Sequence, residues 1–128
     1  MKVIKYKDLL KLLKTKKLKI VIEKRKEKGL HMHGSRNHAE FVSYINESDY
    51  DPWDIIVPGY SIDLPKDRHF MSNDIIAIYE LPNNNNKFFM KINYPGYNEK
   101  IALKEIKNYV KTYENKHDFG KSSKLRYI

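Results

Sequence analysis

A long amphipathic segment near the C-terminus limits the folds open to this chain. Between residues 99 and 116, apolar side chains recur three or four positions apart, at Ala102, Ile106, Tyr109, Val110 and Tyr113. This spacing places them on one side of a helix of about four to five turns. The segments before it are mostly short and strand-like, which favours a sheet with helices packed against it.

The remaining segments are assigned from the same kind of periodicity. Tyr6, Leu9, Leu10 and Leu13 predict a short amphipathic helix over 5–15. Alternating or continuous apolar runs predict short strands, at 18–23, 30–33, 54–57, 61–64, 74–81 and 87–94. The last two flank an asparagine run and predict a hairpin, because asparagine tolerates the left-handed conformations of such a loop. One or two helical turns are expected within 36–47.

These elements predict one α+β domain over residues 1–116. Its small mixed or antiparallel sheet is expected to be flanked by an N-terminal helix and a longer C-terminal helix. A chain of 128 residues has the size of a single domain. Residues 117–128 are mostly polar, so we expect them to form a tail.

The composition excludes several classes of protein. The chain has no cysteine, which excludes disulfides, cysteine zinc sites and thiol nucleophiles. No window approaches the roughly 18 to 20 apolar residues of a membrane span. The N-terminal segment lacks the apolar stretch of a secretory signal. We therefore expect a cytoplasmic or otherwise intracellular protein with no membrane partner.

The positive charge of the chain is concentrated in its N-terminal segment. Residues 1–28 contain twelve Lys/Arg and three Asp/Glu, which accounts for the whole net charge of +9. The following hundred residues are neutral in sum. A local excess of lysine attracts phosphate backbones in a salt-dependent manner. The segment 1–28 is therefore a candidate contact for nucleic acid.

A short motif lies between residues 30 and 57. Gly34, Ser35 and Arg36 follow a short apolar run, and thirteen residues later come Asp49 and Asp51, ahead of Ile-Ile-Val. An apolar residue, Gly-Ser and a later Asp-x-Asp pair resemble the signature of the nucleotidyltransferase superfamily, with its DNA polymerase β-like fold. On a strand, alternate residues point to the same face, so the two carboxylates would share one site.

The resemblance implies a reaction and a set of roles. It implies transfer of a nucleotide from a nucleoside triphosphate to a hydroxyl acceptor, with Mg²⁺ or Mn²⁺ held by Asp49 and Asp51. The third carboxylate of the family falls on Asp63, with Asp74 as second choice. Gly34, Ser35 and Arg36 would contact the triphosphate, where a glycine permits close approach of the backbone.

Two further resemblances remain open. Asp49, Asp51, Pro52 and Asp54 resemble the DxDPxD segment of soluble family I inorganic pyrophosphatases, in which carboxylates gather Mg²⁺ around pyrophosphate. Lys-Gly-x-His ending at His31, after a helix and a strand, is similar to the small HicA-type RNA-cleaving toxins. That resemblance implies a single catalytic histidine.

A non-catalytic reading of the same residues is also open. Asp and Asn often hydrogen-bond their own backbone in turns, so the segment around Asp49 and Asp51 could be a polar Asx-type turn before a strand. The chain would then be a basic module that binds nucleic acid or belongs to an assembly. In this case the lysines of 1–28 would carry the function.

Overall fold

The computed structural model describes residues 1–23, 37–60, 62, 64–65, 68–117 and 122–128. These residues form nine strands, two α-helices and one short 3₁₀ segment, Ser72–Asp74. The elements in chain order are β1 (Lys2–Ile4), α1 (Tyr6–Lys14), β2 (Lys19–Glu23), β3 (Asn37–Phe41), β4 (Tyr44–Asn46), β5 (Ile55–Val57), β6 (His69–Met71), β7 (Ile75–Glu80), β8 (Lys87–Met90), α2 (Glu99–His117) and β9 (Lys124–Tyr127).

Seven of the described strands form one sheet in the order β6-β2-β3-β5-β8-β7-β9. Its neighbouring strands pair antiparallel, except for β5 and β8, which lie parallel. The other two, β1 and β4, pair with each other in parallel. A mixed sheet with a short N-terminal and a longer C-terminal helix confirms the predicted α+β class.

The sheet has one helix on each face. Ile55 and Val57 of β5 pack in the cluster that contains Leu9 of α1. Ile56 lies between them, points to the other face and packs in the cluster that contains Ile106 of α2. Successive residues of a strand face opposite sides, so three adjacent apolar residues serve both layers. Full burial of such side chains contributes roughly 1.5–3 kcal/mol each.

Most of the predicted elements are present. The two amphipathic segments form α1 and α2, and the two segments around the asparagine run form the antiparallel pair β7 and β8. The strands expected at 18–23 and 54–57 are confirmed as β2 and β5. The strand expected at 30–33 lies outside the described residues. Of the strand expected at 61–64, Ser61 and Asp63 also lie outside the described residues, and the described Ile62 and Leu64 are not part of a strand.

The prediction of helical turns within 36–47 was wrong, because this segment forms β3 and β4. In β3, Ala39 and Phe41 belong to the core on the α1 side, with polar residues at the positions between them. Pairing with β2 and β5 on both sides satisfies the backbone of β3. The apolar residues of β3 therefore recur every second position, as in a strand. Over so short a segment, their spacing together with the apolar residues that follow resembled a helical pattern.

The prediction of a polar tail over 117–128 also needs correction. Lys124–Tyr127 forms β9, which pairs antiparallel with β7 at the edge of the sheet. Leu125 packs against the α2-side cluster, and Arg126 forms an ion pair with Glu80 across the strand pair. The many polar side chains of residues 117–128 predicted a tail. A strand forms there nevertheless, because an edge strand needs few buried contacts.

Gly59 lies in the loop that follows β5 and packs against the start of α2. Its φ of +75° lies in the left-handed region, and its carbonyl oxygen accepts a hydrogen bond from the Asn98 N–H at 3.0 Å. A Cβ added there would lie 2.6 Å from the Asn98 oxygen and 2.7 Å from the Ala102 Cβ. Only glycine allows this approach, so the position of α2 on the sheet depends on Gly59.

We expect Gly59→Ala to lower the free energy of unfolding by about 2–4 kcal/mol, because strain at a positive φ adds to a backbone clash. Urea denaturation followed by circular dichroism would measure the loss. Gly96→Ala is the matched control, since φ there is +96° but the nearest atom to an added Cβ, on Tyr60, is 3.6 Å away. Equal losses in the two variants would contradict the tight packing at Gly59.

Candidate functional site

Asp49 and Asp51 lie in an exposed turn between β4 and β5. The Asp51 N–H donates to Asp49 Oδ1 at 3.1 Å, which is an Asx turn. The Tyr50 N–H donates to the Asn46 oxygen at 2.8 Å, and Tyr50 has a φ of +58°. The motif predicted that the two aspartates occupy alternate positions of a strand. This was wrong, because both lie in the turn. Among the described residues, neither carboxylate has a cationic partner.

The asparagine run supports this turn from the neighbouring hairpin. Asn46 Nδ2 donates to the Asn84 oxygen at 2.9 Å, and Asn84 Nδ2 donates to Ser48 Oγ at 3.0 Å. Asn86 Oδ1 accepts the Leu81 N–H at 2.7 Å within the hairpin itself. The run is therefore a set of side-chain amides that joins the β7–β8 loop to the turn that carries the two aspartates.

The described residues nearest in sequence to the two halves of the nucleotidyltransferase motif adjoin different ends of β5. Asn37, the first described residue after the Gly-Ser-Arg segment, pairs with Val57 at the carboxyl end of β5. Asp51 precedes β5 and so approaches its amino end. Gly34, Ser35, Arg36 and Asp63 lie outside the described residues, so their roles stay predictions. In the part of the chain that is described, no three His, Asp or Glu side chains gather as a metal site would require.

Three of the eight described lysines of the N-terminal segment form an exposed row on α1. Lys7, Lys11 and Lys14 follow the i, i+4, i+7 pattern of one helix face, over about 10 Å of helix length. The buried residues Leu9 and Leu13 lie on the opposite side of the helix. We call Lys7, Lys11 and Lys14 the α1 stripe. Its only described acidic neighbour at ion-pair distance is Asp8, 4.0 Å from Lys11.

The turn after α1 extends this cationic surface. Lys16 has a φ of +59° and donates its N–H to the Leu13 oxygen at 3.1 Å. This is the position after a helix end at which glycine is usual, and a side chain there costs roughly 1 kcal/mol. Lys16, Lys17 and Lys19 are all exposed.

A groove of about 670 Å³ lies between the end of α1 and the β7–β9 edge of the sheet. Leu10, Leu13 and Ile78 contribute apolar walls, and Lys14 and Lys16 stand among the lining residues. None of the described residues that line it is acidic. The α1 stripe therefore continues into a concave surface of the same sign.

A hydrogen-bonded trio fixes the orientation of α1 on the sheet. The Tyr6 hydroxyl donates to Glu80 Oε2 at 2.6 Å, and Arg126 Nε lies 3.1 Å from Glu80 Oε1. Burial, and then the hydrogen bond to Glu80, raises the pKa of Tyr6 well above the ordinary tyrosine value. The trio joins α1 to β7 and β9, so the direction in which the α1 stripe points depends on these three side chains.

Counting charges along the sequence missed a second row of lysines. Lys100, Lys104, Lys107 and Lys111 are all exposed on α2 and repeat the spacing of the α1 stripe. We call these four residues the α2 stripe. Its signal was present in the sequence as lysines at i, i+4, i+7 and i+11. A zero sum over residues 29–128 concealed it.

For the aspartate turn, we expect Asp49→Ala to lower the free energy of unfolding by about 0.5–1 kcal/mol, because the Asp51 N–H loses its acceptor. Asp49→Asn keeps an acceptor oxygen at the same place and is expected to change stability by less than about 0.3 kcal/mol. Urea denaturation of both variants measures the difference. A large loss in the asparagine variant would show that the negative charge, not the turn, is what the fold needs.

For the trio, we expect Tyr6→Phe to lower the free energy of unfolding by about 1–2 kcal/mol at neutral pH, since a hydrogen bond to a carboxylate is lost. A raised pKa in the folded state stabilises the fold below about pH 10, and this stabilisation disappears as the pH rises further. The variant should therefore lose stability less steeply than the parent above about pH 10. Urea denaturation between neutral pH and about pH 11 tests both points. Tyr127→Phe, at an exposed position of β9, is the control.

Comparison with protein-family models, with curated proteins and with solved structures finds no match to this chain. Neither helix, over its described residues, is long and apolar enough to span a membrane.

Proposed function

We propose that this chain binds nucleic acid through the α1 stripe and the lysines that follow it. The observation that carries the proposal is the placement of Lys7, Lys11 and Lys14 on one exposed face, with apolar residues alone on the opposite face. Binding of lysines to phosphates releases counterions, which supplies affinity without any reading of sequence. The proposed role is that of a basic module and requires no chemical step.

The rigidity of the surface supports this proposal over a merely solvated helix face. The trio of Tyr6, Glu80 and Arg126 holds one end of α1, and the buried Leu9 and Leu13 hold its inner side. At the other end, Lys16 occupies a strained backbone conformation that a glycine would adopt freely. A fixed array of cations loses less entropy on meeting a phosphate backbone than a flexible one does.

The nucleotidyltransferase activity stays a second proposal for the same chain. Asp49 and Asp51 face solvent with no described cationic partner, which leaves carboxylate oxygens open to Mg²⁺ or Mn²⁺. The Asx turn engages Asp49 Oδ1 already, however, and the two aspartates do not stand at alternate positions of a strand. The geometry of the described residues therefore favours the binding module.

We expect the triple variant Lys7→Gln/Lys11→Gln/Lys14→Gln to bind nucleic acid about tenfold more weakly at low salt. Each phosphate contact that is lost should reduce the slope of log affinity against log salt by about 0.9, or roughly 2–3 for the three lysines. Fluorescence anisotropy with a labelled DNA duplex, repeated at several salt concentrations, measures both effects. Glutamine is a good helix former, so α1 should persist.

Two further variants control for charge and for folding. Lys124→Gln removes an exposed lysine from β9 and should change the affinity by less than about twofold. Lys16→Gly removes a charge but relaxes the positive φ, so it should bind more weakly while its free energy of unfolding rises by about 0.5–1 kcal/mol. An unchanged affinity and salt slope in the triple variant would overturn the proposed function.

Calorimetry separates the binding module from the enzyme. Mn²⁺ is titrated with each nucleoside triphosphate into the parent and into Asp49→Asn/Asp51→Asn. The binding module requires no metal-dependent signal at these residues, and the double variant should bind DNA at least as well as the parent. A metal-dependent nucleotide signal that the double variant abolishes would place the second proposal ahead of the first.

A further inference from the structure

The α2 stripe is a cationic surface in its own right. Its four lysines cover about 16 Å of helix length and lie roughly opposite the buried residues of α2, which are Ala102, Ile106, Tyr109 and Tyr113. Each lysine is exposed, and none forms an ion pair with a described residue.

Among the described residues, the acidic residues of α2 form no ion pair with the stripe, although Glu114 stands three positions after Lys111 on the same side of the helix. Glu105 Oε2 accepts the Gly59 N–H at 3.2 Å, and Glu114 Oε1 accepts the Ser123 hydroxyl at 3.2 Å. Glu99 stands in the first turn, where a carboxylate favours the helix dipole. The neutral sum of residues 29–128 does not describe α2, because this helix contains five lysines and three glutamates, and the other ten Asp/Glu of that range lie outside it.

The two stripes point away from each other across the sheet. The buried side of α1 packs with Ile55 and Val57, whereas the buried side of α2 packs with Ile56 on the opposite face. Each stripe lies on the outer side of its helix. A duplex bound along one stripe therefore lies beyond one helix, with the sheet and the other helix between it and the second stripe.

We propose that the α2 stripe is a second phosphate-backbone site, and that one copy of this chain bridges two separate nucleic-acid segments. The inference rests on the proposed function for the α1 stripe and adds a second site of the same chemistry. Charge complementarity identifies the occupant, since four exposed lysines in a row match a regular array of phosphates. DNA of about 20 base pairs is much shorter than the persistence length of roughly 150 base pairs, so one such duplex cannot bend round to fill both sites.

The experiment uses two populations of a short duplex, one labelled with a donor fluorophore and one with an acceptor. With the full chain at low salt, we expect energy transfer between the two populations, and a stoichiometry of two duplexes per chain by analytical ultracentrifugation. Raising the salt should abolish the transfer, because both sites depend on counterion release. Anisotropy is measured in parallel to show whether each duplex is bound at all.

Matched variants separate the two sites. Lys104→Gln/Lys107→Gln/Lys111→Gln should still bind one duplex but lose the energy transfer. The α1 triple variant should behave in the same manner. Replacing the same three α2 lysines by arginine keeps the charge and should retain the transfer. A mixture of the two glutamine variants should show none, because no single chain then carries both sites.

Several outcomes would overturn the inference. Tight binding of one duplex without energy transfer would leave the proposed function intact and remove the second site. Energy transfer that persists in the α2 glutamine variant, or that returns in the mixture, would mean that association between chains joins the duplexes. Absence of any duplex binding would overturn both proposals. Vesicles of phosphatidylglycerol are the remaining arm, and an α2 stripe that binds them but never a duplex would assign this surface to membranes instead.

Discussion

The rest of the structure depends on β5 and β8, whose apolar side chains pack against a helix on each face of the sheet. Ile55 and Val57 face α1 while Ile56 faces α2, and Phe88 and Phe89 divide in the same way between the two clusters. Two short strands near the middle of the sheet thus organise both layers of helix. Because each helix is amphipathic and its apolar side must be covered, its lysine side is forced outward. Packing the apolar side of each helix against the sheet therefore also determines where its lysines lie.

This arrangement explains why charge per segment is a poor guide to charge per surface. The N-terminal segment shows its excess of lysine in a simple count. The five lysines and three glutamates of α2, in contrast, are averaged in such a count with ten Asp/Glu from other parts of residues 29–128. Two of the three carboxylates of α2 also have local hydrogen-bond partners. Glu105 accepts a backbone N–H at Gly59, and Glu114 accepts the Ser123 hydroxyl, so both act in local structure.

The sequence was sufficient for elements whose periodicity is long or whose apolar runs are continuous. α1, α2 and the β7–β8 hairpin follow directly from their patterns. β3 did not, because five residues at a period of two resemble a short helical repeat until two partner strands are known. β9 did not, because it has only four residues and is an edge strand paired with β7 alone, so Leu125 and Tyr127 give too short an alternation to predict a strand. For Asp49 and Asp51 the sequence allowed both a strand and an Asx-type turn, and the structure has the turn. Hydrogen bonds between Asn46 and Asn84, which are distant in the chain, support that turn and could not be inferred from the pattern.

The trio that orients α1 also has a consequence for the order in which contacts form during folding. Tyr6 and Glu80 are 74 positions apart, and Arg126 follows 46 positions after Glu80. We expect contacts of such long sequence separation to form late, because the chain must lose the entropy of closing a large loop before these contacts can stabilise it. During synthesis the lysines of α1 emerge among the first residues of this sequence, but they acquire a fixed direction only when β9 joins the sheet. The helix that comes first in this sequence is therefore oriented by the strand that comes last in it.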